Sequence, residues 1–241
     1  MTFNIIGSIL PEVTIAVAIC IVILVNSLLR NASVTLIHSL VLFFLSFALF
    51  LSFVSLELPD SNIFDGHYVI DTFGTNLKII ALIAAILVHL GSFKSKQNIK
   101  NEIFLIQLFA TLGVMILCSA YNLLTVYLGL ETLTLSMYGI VASNRNSIEA
   151  TESAMKFFIL GAIASAIFLY GVSILYGVTG TLSLDLIKDS ILLDTLEMRI
   201  AVAFMACGII FKFGAFPFHS WVPDSYQGSN TTAAIYISSV P

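Results

Sequence analysis

Charge is scarce in this chain: 10% of its 241 residues are Asp, Glu, Lys or Arg, while 59% are apolar and the mean hydropathy is +1.03. Soluble domains carry about a quarter charged residues, so a water-facing globular surface is excluded. No basic run is present, and the formal net charge is -4, which argues against a nucleic-acid partner. Cysteine is sparse too. Cys20, Cys118 and Cys207 lie far apart in apolar stretches, with no CxxC and no Cys/His spacing. They read as small packing residues rather than disulfides or ligands of zinc or iron–sulfur clusters. No strand-linked GxGxxG offers a dinucleotide site. No Lys or Arg precedes the first apolar run and Glu12 sits at its mouth, so a cleaved signal is not expected.

What the chain has is long hydrophobic runs. A spanning helix needs about 20 mostly apolar residues. Seven segments qualify, at about 11–29, 34–56, 76–93, 103–120, 122–142, 154–178 and 199–222, and an eighth begins near Ser229. The runs are too long for strands and do not alternate, which excludes a β-barrel. The expectation is an all-α polytopic bundle forming one transmembrane domain over residues 1–241. Arg30, Lys94, Lys96, Lys100 and Arg145 fall in loops on one side. On the other side Lys78, Lys188 and Arg199 are outnumbered by Glu57, Asp60, Asp65, Asp71, Asp185, Asp189, Asp194 and Glu197. The basic side is therefore expected to face the cytoplasm or matrix.

Two charges stand where a bilayer least tolerates them. Glu131 lies near the middle of VYLGLETLTLSMYGIVA and Lys212 near the middle of AVAFMACGIIFKFGAFPFHSWV. Each costs about 2.5–3.5 kcal/mol or more at bilayer centre, so each requires a partner or a wet cavity. Desolvation penalises both charged forms and mutual attraction favours them. Such an opposed acid and base can change protonation when a nearby charge moves, which is what a proton relay needs. A static ion pair that fixes packing is the structural alternative.

Other residues admit plainer readings. Lys156, at the start of the sixth helix, and Lys78, at the outer end of the third, each read alone as a snorkelling lysine. His38 and His89 suit hydrogen bonds between helices. Pro217, in Phe216-Pro217-Phe218-His219, removes a backbone donor and frees a carbonyl near Phe213. An ordinary kink and a broken helix whose carbonyls and His219 hold water are both open. Gly161, Ala162, Ala164, Ser165, Ala166, Gly171, Gly177 and Gly180 make the sixth segment a small-residue surface for close helix contact.

Three stretches carry a family resemblance. GLETLTLSMYGIVA, ESAMKFFILGAIASAIFLYGVSILYGVTGTL and FKFGAFPFHSWVPDSYQG resemble, in order and spacing, the N subunit of proton-pumping NADH:quinone oxidoreductase, called subunit 2 in mitochondria. The resemblance is specific from about Glu102 to Gly228. It implies an antiporter-like fold with a broken seventh helix, in which residues 1–100 supply three N-terminal helices and 101–241 an incomplete first repeat. It also implies a proton relay of Glu131, Lys156 and Lys212, supported by Pro217 and His219 at the helix break. One stretch departs from the family: Gly228-Ser229-Asn230-Thr231-Thr232-Ala233 stands where GxPTPV is usual. The family's next relay lysine would follow Pro241, so a separate or missing C-terminal half is expected as a partner.

The function so implied is that of a proton-translocating membrane-arm subunit of complex I in a bacterial plasma membrane or mitochondrial inner membrane. The chain would bind no cofactor or metal itself. NADH, flavin, iron–sulfur clusters and quinone would belong to partner subunits, and the enzyme activity to the whole complex. The alternatives are a subunit of a multi-subunit cation/proton antiporter and a non-conducting structural subunit.

Overall fold

A computed structural model describes residues 2–29, 33–93, 101–143, 147–190 and 195–241. Long helices dominate: α1 (Thr2–Leu28), α2 (Val34–Ser55), α3 (Thr72–Phe93), α4 (Asn101–Cys118), α5 (Leu123–Val141) and α6 (Ile148–Thr179). Among the described residues these six are long and apolar enough to cross a membrane. They are followed by α7 (Leu184–Ser190), α8 (Leu196–Lys212), α9 (Trp221–Gly228) and α10 (Thr231–Ser239). The chain is a polytopic helical membrane protein.

Local chemistry sets the helix starts. Ser33, Asn122, Ser147 and Thr195 stand at the N-caps of α2, α5, α6 and α8, each accepting a backbone N–H of the first turn. At 32 residues α6 is about 48 Å long, well beyond the ~30 Å thickness of a hydrocarbon layer. Its end is set by Gly180, at φ +69°.

The apolar segment at 199–222 does not form one helix. The α8 helix ends at Lys212 in a Schellman arrangement, with Gly214 at φ +61°. The Gly214 N–H bonds the Phe211 carbonyl at 2.9 Å and the Ala215 N–H bonds that of Ile210 at 3.2 Å. Gly214, not Pro217, is what stops the helix. Pro217 lies three residues further on, where its ring and missing donor keep the chain from resuming a helix at once. The carbonyl of Phe211 also accepts the indole N–H of Trp221 at 2.9 Å, so α9 caps the helix it follows.

The connection between α2 and α3 holds a short antiparallel hairpin that hydropathy had not revealed, β1 (Ser61–Ile63) and β2 (Tyr68–Ile70). Its turn contains Phe64, Asp65 and Gly66 at positive φ, and three-residue strands are too short to announce themselves by alternation. The hairpin laces this end of the bundle together. Val69 N–H bonds the Ser119 carbonyl at 2.9 Å, and Tyr121 N–H bonds that of His67 at 3.1 Å. Leu123 N–H bonds the Leu182 carbonyl at 3.0 Å, tying in the segment before α7.

At the other end, Asn101 of α4 reaches Asn26 of α1 at 3.4 Å, and Asp224 of α9 reaches Lys156 of α6. Arg30, Lys94, Lys96, Lys100 and Arg145, which carry the orientation argument, lie outside the described residues, as does Asp194.

Candidate functional site

Glu131 and Thr134 are three residues apart on α5 and therefore share a face. Opposite them stand Ser165 of α6 and Lys212 at the last turn of α8. The Lys212 ammonium lies 3.5 Å from Glu131 Oε1, with side chains 10% and 22% exposed. It donates to Thr134 Oγ1 and to Ser165 Oγ, each at 3.1 Å. Two of its three ammonium donors are thus taken by hydroxyl oxygens, with the carboxylate alongside. Thr134 spends its own proton on the Leu130 carbonyl at 2.9 Å, which leaves a lone pair for the lysine.

Ser165 is the junction of the group. It accepts from Lys212 and donates to Glu131 Oε1. A directed path of Lys212 N–H to serine oxygen, then serine O–H to carboxylate, therefore joins base to acid. The direct 3.5 Å contact is longer than a good hydrogen bond. In the sequence Ser165 reads as part of a packing surface; its hydroxyl, amid glycines and alanines, is the available signal.

Close packing brings these side chains together. A methyl group at Gly208 would come within 2.6 Å of Phe168 Cβ and 3.0 Å of the Ala164 carbonyl. One at Gly171 would come within 2.7 Å of the Ala201 carbonyl. The absence of side chains at these two positions lets α6 and α8 touch along their backbones.

Lys156 does not join this group. It pairs with Glu152 at 2.8 Å and Asp224 at 3.2 Å, and half of its side chain is exposed. Nine residues of α6, about 13–14 Å, separate it from Ser165. An aromatic layer fills part of the interval. Tyr138 meets Phe157 edge-on at 4.6 Å, and Phe157 stacks on Trp221 at 4.2 Å, all three buried. Around Lys156 lies a cavity of about 190 Å³ walled by Glu149, Glu152, Asp224 and Gln227. Pro217 and His219 sit in the break after α8. His219 is exposed, its ring against Phe216 at 5.8 Å.

The snorkelling reading of Lys78 is overturned. Its side chain is 2% exposed and pairs with Glu12 at 2.6 Å, because α1 supplies a carboxylate that hydropathy could not locate. His38 does bond between helices, its Nε2 lying 2.8 Å from the His89 carbonyl.

The family described as NADH:quinone oxidoreductase/Mrp antiporter, TM, matches residues 120–241, which contain the whole Glu131–Ser165–Lys212 group. The chain is 37% identical to NADH-quinone oxidoreductase subunit N of Ruthia magnifica, over 96% of this chain and 50% of the relative. It superposes on a chain of respiratory complex I from Thermus thermophilus with a TM-score of 0.80 at 27% identity, covering 95% of this chain and 50% of that one. A chain of the Mrp complex from Dietzia sp. DQ12-45-1b gives the same TM-score at 17% identity, covering 100% and 48%, a likeness of fold alone. This chain spans about half the length of the curated relatives it matches.

Proposed function

Because the chain belongs to the NADH:quinone oxidoreductase/Mrp antiporter transmembrane family, we propose that it is a proton-translocating part of the membrane arm of an NADH:quinone oxidoreductase. The observation that carries this reading is the buried, hydroxyl-bridged acid and base formed by Glu131, Ser165 and Lys212. A static pair needs only two charges in contact. Here a serine oriented as acceptor from one and donor to the other gives a proton a route between them.

In this mechanism a charge change near Glu131 alters how strongly Lys212 holds its proton. Transfer through Ser165 moves one proton from ammonium to carboxylate and neutralises both. Only a difference in proton affinity between two states of the surrounding complex can drive the cycle. Lys156, with Asp224 and Glu152, serves as the exchange point at the α9 end, and the break after Lys212 keeps the lysine on a helix terminus.

The redox chemistry, with NADH, flavin, iron–sulfur clusters and quinone, is assigned to partner subunits. Other membrane-arm subunits and a C-terminal half of this subunit complete the proton path. The bacterial relatives support a plasma-membrane location. The antiporter alternative shares the fold, and the identity to subunit N relatives favours the oxidoreductase.

Lys212→Ala and Lys212→Arg in the assembled complex test the relay. Both are expected to lower proton pumping on the order of a hundredfold, the low end of what a positioned proton carrier contributes. Arginine keeps the charge but does not release its proton. Normal pumping by an assembled Lys212→Arg complex would sink the role assigned to this lysine.

A further inference from the structure

Proton exchange at Lys156 has to be felt at Lys212, yet about 13–14 Å of α6 and a buried aromatic layer lie between the Lys156 and Lys212 groups. One short helix touches both. Asp224, in the first turn of α9, pairs with Lys156 at 3.2 Å. Trp221, which begins α9, donates its indole N–H to the Phe211 carbonyl at 2.9 Å. Phe211 immediately precedes Lys212 in the last turn of α8. The buried Trp221 ring lies flat on Phe157, with centroids 4.2 Å apart and planes 6° from parallel, and tilts against Phe211 at 5.8 Å.

The two contacts sit in different surroundings. The Lys156 and Asp224 side chains are 50% and 41% exposed, so solvent reaches their pair. The charged groups facing Lys156 are Glu149 and Glu152 of its own helix and Asp224 of α9. Gain of a proton by Asp224 from water, or loss of one from Lys156 to water, leaves one partner neutral and weakens the tie between α6 and α9. The indole contact is buried and uncharged. It lies at a helix end, where carbonyls lack partners within the helix. The Phe211 carbonyl accepts from the Gly214 N–H at 2.9 Å and from the indole. Ser220, at the N-cap of α9, makes no side-chain capping bond, so the indole supplies a polar tie at the start of this helix.

We propose that Trp221 is a positioning residue that couples the Lys156–Asp224 pair to Lys212. When proton exchange neutralises one member of the pair, α9 is released at Asp224. Its movement is passed through the indole to the Phe211 carbonyl and so to the last turn of α8. Lys212 donates to Thr134 and Ser165 at 3.1 Å each, toward the long end of hydrogen-bond geometry. A displacement of a few tenths of an ångström therefore changes how strongly both oxygens hold the ammonium. The signal that crosses the aromatic layer is a motion of α9, and Trp221 touches no transferred proton. The proposal rests on the reading that Glu131, Ser165 and Lys212 form a relay.

Trp221→3-benzothienylalanine keeps the size and stacking of the ring and removes the N–H. In the assembled complex pumping is expected to fall about five- to tenfold, the scale of one lost hydrogen bond. Trp221→Phe should fall at least as far, and the analogue decides even where the phenylalanine variant fails to assemble. The coupling itself is read from a double-mutant cycle. Asp224→Asn alone should lower pumping and shift its pH profile. Added to the benzothienyl variant, it should lower pumping by less than about a further twofold and leave the profile in place. Losses that multiply independently would overturn the coupling. So would full pumping without the N–H, and loss of pumping in Lys212→Ala in the same assay would then leave the relay standing.

Discussion

Ser165 matters out of proportion to its size because its one hydroxyl faces two charges at once. Replacing it by Ala leaves Glu131 and Lys212 at 3.5 Å with no bridge, and each loses a hydrogen bond in a buried setting. The loss is expected to cost about 1–3 kcal/mol in stability. Pumping by Ser165→Ala should fall, though less than in Lys212→Ala, because water can partly substitute for a hydroxyl. Proton uptake into vesicles and thermal melting of the purified complex measure the two effects. Wild-type pumping by Ser165→Ala would take the hydroxyl off the path. The two ionisable residues of this site were legible in the sequence, since a charge amid twenty apolar residues is conspicuous. The serine was not, because a small polar residue is compatible with packing, capping and chemistry alike.

The contact between α6 and α8 depends on residues that have no side chain. Gly208 and Lys212 are one turn apart and share a face, so whatever moves the glycine's surface moves the lysine. Gly208→Leu would force α8 away from Phe168 and Ala164, at a cost of about 1–3 kcal/mol from overpacking alone. It should also draw Lys212 out of reach of Ser165, lowering pumping together with melting temperature. Gly177→Ala provides the contrast. Nothing lies within 4 Å of a methyl group there, and the substitution should be neutral or stabilising by about 0.5–1 kcal/mol. Equal damage from both substitutions would show that the α6–α8 contact does not position the lysine. The break after α8 belongs to this scale as well. Proline drew attention to the right segment, but the stop is Gly214, whose role appears only when its φ and two carbonyl partners are seen.

Across the whole molecule, main-chain hydrogen bonds bind the hairpin end into a platform, while α9 docks against α6 at the other. The excess of Lys and Arg in the alternate loops predicts that the hairpin end faces away from the cytoplasm or matrix. Single cysteines at Asp65 and at Lys96, labelled from one known side of the membrane, check this orientation. Asp65→Cys should react only from the outer face and Lys96→Cys only from the inner. Modification of both from the same side would rule the orientation out.

The membrane class, the positions of the long helices and the identity of Glu131 and Lys212 as residues of interest were determined by the sequence itself. Each rests on hydropathy over a window of about twenty residues, a one-dimensional property set by bilayer thickness. The partners of those charges were decided only by the tertiary structure. Lys212 meets Ser165 and Thr134, 47 and 78 residues away along the chain, through helix packing that no local pattern encodes. The same is true of Lys78, which looked like a lysine at a membrane surface until α1 brought Glu12 against it. A buried charge announces that it needs a partner, but which residue supplies it depends on how the helices come to rest against one another.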